Sequence, residues 1–73
     1  THHIAPRIRR KVMGTLLRQA RQRAGKSQKE CASLLGIPAR RVAEYEYGER
    51  DIPPFELEAL APYLGIDKGY FAI

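Results

Sequence analysis

Residues 27–48 read SQKECASLLGIPARRVAEYEYG, and their punctuation decides the fold. Ser27-Gln28-Lys29-Glu30 has the spacing of a capping box. In that motif the serine oxygen accepts from the Glu30 amide, and the glutamate reaches back to the serine amide. This predicts a helix over about residues 28–35, with Cys31, Ala32 and Leu35 inward and Gly36 at its end. Little more than Gly36 and Ile37 separates it from the next apolar pattern, so two short helices must cross steeply. Pro38 suits the first turn of the later one, where a missing N–H costs nothing. That helix is predicted over about residues 38–47, with Gly48 after it.

Upstream, Ile8, Val12, Met13, Leu16, Leu17, Ala20 and Ala24 recur at helical spacing, and Gly25 closes the pattern. Downstream, Phe55, Leu57, Leu60, Ala61 and Leu64 have core spacing in a fourth helix, and Pro62 inside it predicts a kink or an early end. Asp67 is placed to cap a last turn through Phe71, and Tyr70–Ile73 form an apolar ending. The reading is an all-α chain.

Length and composition set the bounds. Seventy-three residues allow one small domain. Cys31 is the only cysteine, so no intrachain disulfide forms, and a lone thiol fits a cytoplasmic protein. His2 and His3 are the only histidines and have no zinc-ligand spacing; they equally fit the scar of an affinity tag. No metal or other cofactor is expected. No apolar run approaches the roughly 20 residues of a membrane span, and no signal-peptide pattern appears. The net charge of +5 is uneven: residues 1–26 hold eight basic residues and no acidic one, whereas residues 27–73 hold five basic and eight acidic. Placement, not the total, must carry any case for an anionic partner.

At about 100° per residue, Val42 and Tyr45 share the inner side of the third helix, flanked by Pro38 and Glu46. Arg40, Ala43, Glu44 and Tyr47 fall on the far side, with Ala39 and Arg41 at its edges. The small alanines there let the helix backbone approach another surface closely.

In order and at matching spacing, Leu17-Arg18-Gln19-Ala20-Arg21, the run from Gly25 to Ala32, Leu35-Gly36-Ile37, the run from Val42 to Gly48, and Pro53 through Leu64-Gly65-Ile66 resemble the lambda-repressor/Cro-type (Xre-like) helix-turn-helix family. The resemblance covers roughly residues 12–67. It implies a compact five-helix bundle over residues 12–73, with residues 1–11 a basic N-terminal arm or the start of helix 1. It further implies double-stranded DNA as partner, and a homodimer reading a palindromic operator as a transcriptional regulator. On this match Ala39, Arg40 and Glu44 fall where base edges are read. Gln28, Lys29, Arg41 and Arg50 are the phosphate candidates. Glu46 falls on a glutamate that caps backbone amides, and Gly48 on the turn glycine. Three residues depart from the pattern: Pro38 replaces a hydroxyl cap, Cys31 a leucine, and Pro62 a helix-favouring residue.

The chemistry of these side chains fits that role. An arginine fork pairs with O6 and N7 of guanine, worth roughly 1–3 kcal/mol of discrimination. Glu44 is repelled by phosphates unless it accepts from a cytosine amino group or orients an arginine. The bland reading makes Arg40 and Glu44 an i, i+4 surface pair, though arginine-then-glutamate is the weaker orientation. The basic first helix is either a solvated face or an extended phosphate footprint. A second function would be a protein-interaction module, such as the antitoxin of a toxin–antitoxin pair, docking through Tyr70–Ile73. Membrane attachment through the first helix competes with that helix's place in the core. No catalytic constellation appears, so no enzyme is expected.

Overall fold

The computed structural model of the protein describes residues 5–72; His2, His3 and Ile73 lie outside the described residues. Among the described residues four α-helices follow in order: α1 over Pro6–Arg23, α2 over Gln28–Leu35, α3 over Ala39–Glu46 and α4 over Pro54–Leu64. A 3-10 turn over Lys68–Phe71 completes the chain order, and no strand occurs among the described residues. The all-helical reading therefore holds, but the five-helix count does not. In place of a fifth helix stands a four-residue 3-10 turn, capped by Asp67, whose carboxylate accepts from the Gly69 amide at 3.4 Å. So short a segment, with a glycine inside it, cannot sustain α-helical hydrogen bonding.

Pro6 opens α1, where its absent N–H leaves no donor unmet. The helix buries Met13, Gly14, Leu17 and Ala20, but Ile8 and Val12 are exposed, contrary to the apolar stripe expected. Gly14 explains the rotation. A Cβ there would lie 2.2 Å from the Tyr45 carbonyl oxygen and 2.7 Å from that of Glu46, so α1 meets the end of α3 backbone to backbone. At 100° per residue, turning position 14 inward carries positions 8 and 12 outward.

The capping box of α2 forms as read: Ser27 Oγ accepts from the Glu30 amide at 3.0 Å, and the Glu30 carboxylate accepts from the Ser27 amide at 2.8 Å. That backbone bond is the main cause holding the Glu30 carboxyl below its ordinary pKa. Gly36 takes a left-handed conformation (φ 69°), and the Ile37 amide returns to the Ala32 carbonyl at 3.0 Å. Pro38 occupies the N-cap of α3 rather than its first turn. Its backbone is extended (φ −68°, ψ 146°), and its carbonyl accepts from the Arg41 amide at 2.9 Å.

In α4 the inward line is Glu56, Leu60 and Leu64, and Phe55, expected in the core, is 70 % exposed. The helix passes Pro62 and ends two residues later at Leu64, so of the kink or early end expected, the early end does not occur. Pro62 forfeits one bond near the end, and the Ile66 amide closes the turn on the Ala61 carbonyl at 2.9 Å. Leu17, Cys31, Val42, Tyr45 and Leu60 are the most deeply buried core members. Phe71 joins the core and meets Tyr70 edge to face at 5.2 Å. Among the described residues no helix is long and apolar enough to cross a membrane.

Candidate nucleic-acid interface

The C-terminal end of α3 is held from three sides. Glu46 is 5 % exposed, and its carboxylate accepts from Arg21 of α1 through Nε (2.5 Å) and Nη2 (3.1 Å). Gln28 of α2 donates to the same carboxylate through Nε2 at 3.0 Å. A carboxylate in the last turn of a helix opposes the helix dipole, so these charged and polar donors are what make Glu46 tolerable there. Arg21 also donates Nη1 to the Lys26 carbonyl at 2.9 Å, and its bond to Glu46 raises its pKa above the ordinary value. The expectation that Glu46 caps backbone amides is thus corrected: its carboxylate accepts from the side chains of Arg21 in α1 and Gln28 in α2 instead.

Tyr45 supplies the third tie. Its hydroxyl donates to Glu56 Oε1 of α4 at 2.6 Å in a buried contact. Burial, followed by that bond, pushes its pKa up to about 12, and the nearby Arg41 charge opposes the shift. Arg41 is half-buried, so part of its charge is directed at the Tyr45–Glu56 pair. Gly48 (φ 74°) closes the same end, where an added Cβ would lie 2.8 Å from the Lys11 Cα.

The N-terminal end and outer face of α3 differ. Ala39 and Arg40 are exposed, Ala43 is half-buried, and Tyr47 is exposed. Arg40 joins no side-chain hydrogen bond or ion pair among the described residues. Glu44 is not paired with Arg40, as the bland reading would have it. Instead Arg50, in the loop after α3, donates Nε to Glu44 Oε1 at 2.9 Å. Lys29 is exposed beside Gln28 in the first turn of α2. The proposed groove-facing residues therefore lie at the start and outer side of α3, with Gln28 and Lys29 on the adjoining helix start. Arg41 is the candidate that turns partly inward.

The basic residues of α1 and of the turn that follows it divide as well. Arg21 is committed to Glu46, Arg10 approaches Asp51 at 4.0 Å, and the Lys26 ammonium lies 4.8 Å from the Tyr63 ring centroid. Arg7, Arg9, Lys11, Arg18 and Arg23 are exposed. Three structural residues were missed by sequence reasoning. Arg21 falls four positions after Leu17, on the inward side, and that spacing was a usable signal. Glu56 falls four before Leu60 in the same way. Gly14 left no signal, because a glycine in a helix announces no face.

Two short helices joined by a tight left-handed turn, the second presenting a polar outer face, define a helix-turn-helix unit. The family model for the helix-turn-helix domain matches residues 12–69, and the chain belongs to that family. The match agrees with the likeness to lambda-repressor/Cro-type domains and points to DNA binding. No curated protein matches the chain at a significant level.

Proposed function

We propose that the protein is a transcriptional regulator that binds double-stranded DNA sequence-specifically, laying α3 in the major groove of an operator. The observation that carries this reading is the outer face of α3: Arg40 exposed and unpaired among the described residues, beside the small Ala39 and Ala43. Arg40 forks onto guanine, Ala39 permits close approach, and Glu44 accepts from a base amino group. Gln28, Lys29, Arg50 and the outward part of Arg41 meet phosphates, fixing register. A homodimer on a palindromic operator brings two such helices about 34 Å apart, one helical turn of DNA. The protein acts without catalysis, in the cytoplasm. The antitoxin-like alternative draws less support, because Phe71 of the apolar ending is buried in the protein's own core.

Titration of palindromic against scrambled duplex at two salt concentrations tests the proposal. Tighter binding to one sequence, weakening as salt rises, is expected, since neutralised phosphates release counterions. Affinity indifferent to both sequence and salt overturns it.

A further inference from the structure

Glu44 stands on the outer face of α3, one turn beyond Arg40, where a bare carboxylate is repelled by a phosphate backbone. It is not bare. After Gly48 the chain doubles back over the last turn of α3, with the Glu49 amide donating to the Glu44 carbonyl at 2.9 Å. This brings Arg50 alongside Glu44, and the Nε–H of its guanidinium donates to Glu44 Oε1 at 2.9 Å. The two side chains remain 28 % (Glu44) and 52 % (Arg50) exposed, so a ligand reaches both. The bond uses only Nε of the guanidinium, and both Nη groups keep their donors. It uses only one carboxylate oxygen, and Oε2 has no hydrogen-bond partner among the described residues.

Resting on the major-groove reading above, we infer that Arg50 is a positioning residue for Glu44 and that the pair selects cytosine. Arg50 spans the gap between two anionic groups: its Nη donors take a backbone phosphate while Nε holds the carboxylate toward the bases. Glu44 Oε2 then accepts from the cytosine N4 amino group. A carboxylate is acceptor-only. It is repelled by the O6 and N7 acceptors of guanine and by O4 of thymine, and adenine sets an N7 acceptor beside its amino group. Cytosine alone offers a donor there without an adjacent acceptor. A plain surface ion pair would stabilise the fold slightly and be indifferent to sequence. The inference therefore differs from that reading in a measurable way.

The test is selection of bound sites from random duplexes by the unaltered protein and by Glu44→Gln, Arg50→Ala and Arg50→Lys. Thermal melting of each variant checks that the fold is intact. The unaltered protein should enrich cytosine at one position of each half-site. Glu44→Gln should move that position to adenine, which glutamine pairs with through N6 and N7, changing the discrimination by about 5- to 150-fold. Arg50→Ala should lose the cytosine preference while the preference set by Arg40 persists, and Arg50→Lys should restore part of it. An unchanged cytosine column in Glu44→Gln overturns the inference, as does an Arg50→Ala variant that binds every sequence more weakly yet keeps the cytosine column unchanged. Both results leave the DNA-binding reading standing. If the unaltered protein enriches no sequence, that reading fails first and takes the inference with it.

Discussion

The two ends of α3 sit only seven residues apart, yet they are built differently. At Tyr45 and Glu46 the helix is tied to α4 through Glu56, to α1 through Arg21, to α2 through Gln28, and to the α1 backbone at Gly14. At Ala39 and Arg40 it is exposed and carries no side-chain cap. An eight-residue helix is too short to be stable by itself. The buried end supplies the rigidity with which the open end is presented, so the two regions should respond to substitution in different observables.

The largest effect is expected from Arg21→Met, which leaves the Glu46 carboxylate buried without its charge partner. Loss of about 4 kcal/mol in urea unfolding is expected, and much of it should return in the double variant with Glu46→Leu. A single variant as stable as the parent would mean that Glu46 is not held by Arg21. Gly14→Ala comes next. Its methyl group must displace the α3 backbone, with a loss of about 3 kcal/mol and a lower midpoint of denaturation.

Tyr45→Phe should cost less, about 2 kcal/mol, by removing the only side-chain donor to Glu56 seen among the described residues. It also has a pH signature. The Tyr45 hydroxyl, pushed up from 10.0 to about 12, stays protonated in the folded protein while an unfolded tyrosine ionises. Between those values the unfolded chain binds fewer protons, so stability falls as pH rises. The decline should be shallower in Tyr45→Phe, as measured by unfolding at a series of alkaline pH values.

Arg40→Ala belongs at the other end of the helix and should change stability by no more than about 0.5 kcal/mol. Its effect should instead appear as relaxed base preference in duplex titrations, the converse of the result at Arg21. If Arg40→Ala unfolds the domain, the contrast between the two ends collapses.

Most of the architecture was legible in residues 25–48, because caps and left-handed glycines act locally: Ser27, Glu30 and Gly36 need only their own neighbours. The packing partners were less so. Phe55 looked like a core residue by hydrophobicity, but the side of α4 that turns inward is chosen by Tyr45, whose hydroxyl takes Glu56 as partner. Ile8 and Val12 misled for a related reason, since the orientation of α1 is fixed by a backbone contact at Gly14 that no side-chain pattern encodes. At the candidate interface, the outward direction of Arg40 followed from helical period alone. The Arg50–Glu44 bond did not, because it depends on how the chain folds back after Gly48.

Cys31 has no exposed surface, and burial raises the pKa of its thiol. A thiol-alkylating reagent can therefore meet it as a reactive thiolate only when the chain opens. Because it is the sole cysteine, the modification rate should report the population of opened molecules without any introduced label. The protein carries a built-in probe of its own breathing. A bound duplex that stabilises the closed form should slow that chemistry in proportion to its occupancy.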